Sequence, residues 1–217
     1  MVCFFGCKGW LGILWLMVAA VAVAGPETEM VKVVYRVVYP DSPAGAFRAQ
    51  PRTLYRYGDR CGRTEEMPDV LLKVHGLIIV NEPNIWMINL ANKTGRHVID
   101  PGPTYRFYSP IIPPDAKDKP MRFPDFEVGR EIQFMKGRGV EPLERMVDGK
   151  KHLVYDCQIE KLLLRLMCHP VSKTPLKTMV FEDGRLVTVL QYDDYQTGLT
   201  VDKNLFEPPS GIQIAEH

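Results

Sequence analysis

Apolar and polar residues alternate with a period of two through most of this chain, and that period confines it to a β fold. Val31, Val33, Tyr35, Val37 and Tyr39 fall on one face, with Lys32 and Arg36 opposite, because successive side chains of an extended strand point to opposite sides. Further strands are expected at 54–57, 70–80, 85–90, 96–99, 104–108, 143–147, 152–159, 162–168, 176–182 and 186–192. Asn81-Glu82-Pro83-Asn84 is turn chemistry, and Asp148-Gly149 and Asp183-Gly184 are two-residue hairpin signals. Short, closely spaced strands without intervening helices specify an antiparallel meander and exclude a doubly wound parallel sheet.

Several strands are apolar on both faces, as in Leu77–Val80, Ile85–Leu90 and Leu162–Leu166. A meander with one wet face alternates cleanly, so a second sheet, a helix or a ligand must cover the other side. The best helix candidate runs from Pro124 or Asp125 to about Lys136, with Asp125 as N-cap and Gly137 and Gly139 as stops. Before it, 109–124 carries Pro110, Pro113, Pro114, Pro120 and Pro124. Proline donates nothing to a ladder, so this stretch is a loop.

The N-terminus sets the expected compartment. Lys8, the apolar run Leu11–Ala24 and the small-x-small end Ala22-Val23-Ala24 before Gly25-Pro26 read as a signal peptide spanning 1–24, with one domain over 25–217. The run of about 14 residues falls short of the roughly 20 a bilayer requires, which disfavours an uncleaved anchor. No cysteine stands at the cleavage point; Cys3 and Cys7 lie inside the leader. A periplasmic address follows, and there a Cys157–Cys168 disulfide is the expected pairing, with Cys61 left over or an alternative partner. The 27 Lys and Arg nearly balance the 26 Asp and Glu, so no global field suggests nucleic acid as a partner. The cluster Arg48, Arg52, Arg56, Arg60 and Arg63 reads as a solvated strand face.

No chemistry-bearing constellation stands out. His75, His97, His152, His169 and His217 lack ligand spacing, and Cys168-His169 point to opposite strand faces. There is no nucleophile elbow, P-loop or dinucleotide fingerprint. Gly137-Arg138-Gly139 is too short to cradle phosphate with its backbone, and Asp193-Asp194 reads as a strand-ending turn. Tyr55, Tyr57, Tyr105, Phe107 and Tyr108 with Arg56 and Arg106 suggest cross-strand packing. A non-enzymatic protein is expected, without metal or cofactor.

Four segments carry a likeness to a known group. They are the Leu77–Leu90 hairpin with Trp86 and Asn89-Leu90, Val147-Asp148-Gly149 leading to Val154-Tyr155-Asp156, Thr174–Lys177 followed by Phe181–Gly184, and the closing Asn204–Gly211. Together with the leader and meander they resemble the LolA-like superfamily of periplasmic lipoprotein carriers and related envelope proteins. The resemblance implies a strongly curved, incompletely closed antiparallel half-barrel with an apolar concave face and a helical lid. In the lipoprotein carriers a helix precedes the first strand; here Gly25–Met30 is too short for one, so a lid must come from 110–136.

The expected cavity lining is Tyr35, Val37, Leu54, Val74, Ile78, Trp86, Ile88 and Leu190, and the expected lid residues are Ile111, Ile112, Phe126 and Ile132. The expected function is an exported binding protein for a lipid, acyl chain or acylated ligand. A protein-interaction or stress-sensing module of the envelope, contacting a membrane-protein partner, is the alternative, and a hidden hydrolase the weaker one.

Overall fold

The computed structural model describes residues 29–41, 49–100, 102, 106–112 and 126–216. The leader at 1–24, the proposed N-cap Asp125 and most of the proline-rich loop lie outside these residues. The strands are β1 (Met30–Tyr39), β2 (Arg52–Tyr57), β3 (Cys61–Glu66), β4 (Gly76–Asn81), β5 (Asn84–Asn89) and β6 (Thr94–Ile99). After the helix α1 (Glu131–Gly137) follow β7 (Leu143–Val147), β8 (Lys150–Ile159), β9 (Leu162–Cys168), β10 (Pro175–Glu182), β11 (Arg185–Leu199) and β12 (Gln213–Glu216). They form one 12-stranded sheet in the order β12-β6-β5-β4-β3-β2-β1-β11-β10-β9-β8-β7. The sheet is curved and does not close. Among the described residues, every strand pairing is antiparallel except β12 with β6.

The hairpin signals behave as their chemistry requires. Asp148 and Gly149, and Asp183 and Gly184, all have positive φ and join strands paired at Val147–Lys150 and Glu182–Arg185. That geometry matches strand twist, and Asp-Gly adopts it cheaply.

The two apolar faces have two different covers. On one face, Val33, Tyr35, Leu54, Val80, Tyr155, Leu164, Leu166 and Leu190 pack around Phe107, Ile111, Phe126, Val128, Phe134 and Met135. Strands from β2 to β8 converge on this one segment, so this is the concave side. On the opposite face of the β1–β6 half, Met30, Leu77, Ile79, Trp86 and Ile88 bury Phe206, with Leu205, Ile212 and Ile214 beside it. Here the C-terminal arm crosses the sheet and then adds β12 alongside β6.

Several sequence expectations change. The strand expected at 70–80 begins only at Gly76, and residues 70–73 form a turn. No strand occurs at 106–108; Phe107 N there donates to Asp59 O in the turn between β2 and β3. The helix begins at Glu131, after a non-helical 126–130 stretch. β3 and β12 fall outside the expected strands. Arg56 is buried, at 2% exposure, rather than on a wet face. Asp193 and Asp194 lie inside β11, not at its end. Cys157 and Cys168 are free thiols. Cys157 pairs with Leu164 and Cys168 with Leu153, which separates them by about 13 Å along the strands, beyond the roughly 7 Å a disulfide spans.

Trp86 stacks on His97 at 5.1 Å between ring centroids and is buried beneath the arm. Trp86→Ala is expected to cost about 3–5 kcal/mol in chemical denaturation; a loss under about 1 kcal/mol would show that the arm does not seal this face.

Candidate functional site

Two buried carboxylates, Glu127 and Glu131, attach the covering segment to the concave face. Each stands at 0% exposure, and each is held differently. Arg56 Nη2 donates to Glu127 Oε2 and Arg106 Nη2 to Glu127 Oε1, both at 2.6 Å. Ser109 N also donates to Glu127 Oε2, at 3.0 Å. The Arg56 guanidinium lies 4.9 Å from the Phe107 ring centroid. A Cβ at Gly62 would collide with that ring, so glycine in β3 is what lets Phe107 seat. Parity explains the arginine. Arg56 shares the strand face of Leu54, which pairs with inward-facing Val33.

Glu131 is hydrogen-bonded rather than ion-paired. Tyr192 Oη donates to its Oε1 at 2.6 Å and Tyr195 Oη to its Oε2 at 2.8 Å, while Gly129 N bonds both oxygens at 3.1 Å. Thr178 Oγ1 completes the cluster, 2.8 Å from Tyr192 Oη. Tyr192 and Tyr195 are three residues apart and would normally face opposite sides. A register shift between Val34 and Tyr35 sets Tyr192 against Tyr35 and Tyr195 against Val33, and such a bulge re-aims side chains. Asp193 and Asp194 turn outward there and pair with Arg36 at 3.3 Å and Lys32 at 3.0 Å. Burial raises the Glu131 pKa from its ordinary carboxylate value, against the lowering by its hydrogen bonds. Burial, then the neighbouring Glu131, raises Tyr192 and Tyr195 well above the phenol range. Burial and Glu131 likewise push the Cys168 thiol to about 12, which leaves it inert.

The expected lining residues do not converge on one hollow. Tyr35, Leu54 and Leu190 join the concave core, and Val37 pairs with Leu190 on β11. Trp86 and Ile88 lie on the opposite face beneath the arm. Val74 and Ile78 are exposed. The four expected lid residues do assemble: Ile111 and Phe126 are buried in the concave core, with Ile112 and Ile132 packed against it.

One opening lies beside α1. It is a cleft of about 490 Å³ lined by Arg106, Arg130, Gln133, Phe134, Gly137 and Arg138. A smaller depression of about 220 Å³ runs along Val31, Ile132 and Tyr195. Arg130 forms an ion pair with Asp59. Among the described residues, no group of three His, Cys, Asp or Glu side chains is placed to hold a metal ion.

No family model matches the chain, and no curated protein does. Among solved structures, an uncharacterized conserved protein from Thermus thermophilus is similar over 88% of this chain and 91% of its own, with a TM-score of 0.46 and 9% identity. PNGF-II, in its C2 and P21 crystal forms, is similar over 88% of this chain but 31% and 32% of its own, with TM-scores of 0.30 and 0.31 and 9% and 10% identity. The chain thus spans about a third of PNGF-II.

A raised carboxylate pKa favours the folded state fully below the ordinary carboxylate range, and that contribution is lost as pH rises through the raised value. Glu131→Gln removes the titration. Its melting temperature is therefore expected to fall less than the parent's as pH rises above the ordinary carboxylate range; parallel curves would show that Glu131 is charged throughout.

Proposed function

We propose that this protein is a non-enzymatic binding protein of the cell envelope, in which the segment 126–137 plugs a half-open sheet and gives way to an acyl chain or similar apolar ligand. The observation that carries this reading is the polar underside of the plug. A segment whose whole task is to fill a core gains most from apolar side chains, since a buried ion pair roughly breaks even against an apolar replacement. Here the interior positions include Glu127 and Glu131, which fix the register of the plug without adding much net adhesion. The helix of the plug is flanked by Gly129 and Gly139, both at positive φ, and ends in Gly137, around which a Cβ would meet nothing. Removing Phe126, Phe134 and Met135 from the concave face exposes apolar side chains there, and an acyl chain covering them gains about 0.8 kcal/mol per CH₂.

The test uses Met135, which is fully buried. Met135→Ala is expected to cost about 2–5 kcal/mol in denaturation and, at a temperature where it stays folded, to bind a neutral pyrene-labelled monoacylglycerol more tightly than the parent. A parent that shows no saturable uptake, and a variant that loses stability without gaining affinity, would make 126–137 ordinary core and overturn the proposal.

One surface feature favours the interaction-module reading as a second one. Val70, Leu71 and Leu72 are 83%, 95% and 71% exposed. They are presented by a turn closed by reciprocal Asp69–Val74 backbone bonds and by Leu72 N donating to Asp69 Oδ1 at 2.9 Å. Consecutive apolar residues held outward by an ordered turn mark a contact site. A photo-crosslinker placed at Leu71 in the native compartment is expected to yield one defined protein adduct under this second reading, and lipid adducts or none under the carrier reading.

A further inference from the structure

We infer that opening of the 126–137 segment is coupled to one proton through Glu131. The segment closes over a neutral carboxyl group and lifts with loss of that proton, so an apolar ligand is taken up more tightly as pH rises. This rests on the reading that the segment gives way to such a ligand, and it names what regulates that event.

The surroundings of Glu131 differ from those of Glu127. Glu127 meets two guanidinium groups, whereas Glu131 forms no ion pair with any described Lys, Arg or His. It is the first residue of α1 and stands at 0% exposure. A carboxylate sealed from water without a cation is disfavoured against its neutral form. The groups that face it bring no compensating charge. Tyr192 and Tyr195 come from β11, Cys168 from β9, and β10 offers the Thr178 hydroxyl. β1 sets Tyr35 against Tyr192, and Tyr155 of β8 acts on Cys168. Arg56 of β2 acts on Tyr195 but is held by Glu127 at 2.6 Å, and Arg130 on the segment itself pairs with Asp59. Burial pushes the phenols and the thiol upward, so they keep their protons while the Glu131 carboxyl group titrates.

The hydrogen bonds accommodate both forms of that group. When it is charged, Tyr192 Oη donates to Oε1 at 2.6 Å and accepts from Thr178 Oγ1 at 2.8 Å. When it is protonated, Oε1–H donates to Tyr192 Oη, which turns its own hydrogen to Thr178 Oγ1; either oxygen of that pair can be the donor. Tyr195 Oη still donates to Oε2. Both forms therefore fit the same heavy-atom positions. Once the segment lifts, the hydrated carboxyl group ionises at its ordinary value and its proton passes to water. The closed form binds the proton more tightly than the open one, so low pH favours closure. The opening constant then rises by up to about tenfold per pH unit until the closed form itself ionises.

Amide hydrogen exchange over 131–137, corrected at each pH for the intrinsic rate, measures opening with no ligand present. The neutral pyrene-labelled monoacylglycerol, which has no titrating group, measures uptake. In the full chain both are expected to rise together from just above the ordinary carboxylate value, by up to about tenfold per pH unit. Glu131→Gln keeps a hydrogen-bonding side chain of the same size and is expected to be flat in both. Should that variant fail to melt cooperatively, Tyr195→Phe decides. It removes a donor that the charged form needs, so the rise is expected to continue to higher pH than in the parent.

Exchange that rises with pH through Glu131, without saturable uptake of the probe, supports the proton link and overturns the carrier reading. Saturable uptake with exchange and affinity both flat in the parent overturns the link and leaves the carrier reading standing. A rise that Glu131→Gln retains, or that Tyr195→Phe leaves unmoved where Glu131→Gln does not fold, overturns the link as well. So does exchange over 131–137 no faster than in β9, because the segment then leaves only when the whole sheet unfolds.

Discussion

The concave face depends on the attachment of a segment too short to fold alone. A seven-residue helix lies well below the roughly 12–15 residues at which isolated helices become even marginal, and α1 has no side-chain cap hydrogen bond from Arg130 at its start. Glu131 supplies what is missing. Its carboxyl group takes up Gly129 N from within the turn and is gripped from the sheet by Tyr192 and Tyr195. Four residues earlier, Glu127 ties the same segment to β2 through Arg56 and to the 106–109 stretch through Arg106 and Ser109. Phe126, Val128, Phe134 and Met135 then have fixed positions against the strands. Taking away one partner of such a buried pair costs about 3–5 kcal/mol because the other charge is left unpaired, even though the intact pair contributes little net stability.

Strand alternation and turn chemistry made most of the sheet legible. β1, β5, β7, β9 and the two Asp-Gly hairpins come directly from period and turn type. β3 does not, since Cys61-Gly62-Arg63-Thr64-Glu65-Glu66 offers no apolar face to count. Its inward position is a glycine, chosen by the bulk of Phe107 across the interface, and that contact is non-local. β12 is similarly invisible because its place beside β6 depends on where the arm lies, not on its own four residues. The doubly apolar strands do record two covered faces, but their pattern cannot say that one cover is a helical segment and the other a C-terminal arm.

The site was less legible, for reasons that lie in particular residues. Arg56 reads as surface by its charge, yet its parity with Leu54 on β2 already pointed inward. A charged residue in phase with a buried leucine therefore calls for a buried counter-ion. Tyr192 and Tyr195 lie out of phase by ordinary alternation, and only the bulge at Asp193-Asp194 brings them together. Two adjacent acids inside a long strand were the available signal of that bulge, since each needs solvent and a cation while the tyrosines on either side turn inward. Glu127 and Glu131 belong to no chemical motif at all. Their significance comes from being inside.

The two covers differ in kind, and the difference bears on which one can open. The arm closes its face with Phe206, Leu205, Ile212 and Ile214 against Leu77, Ile79, Trp86 and Ile88. Exposing such residues costs about 1.5–3 kcal/mol for each large side chain, with nothing returned by water. Lifting the 126–137 segment exposes apolar surface too, but it also rehydrates Glu127, Glu131 and Arg56, whose desolvation had opposed burial. Per unit of area uncovered, the polar-backed cover is therefore the cheaper to release.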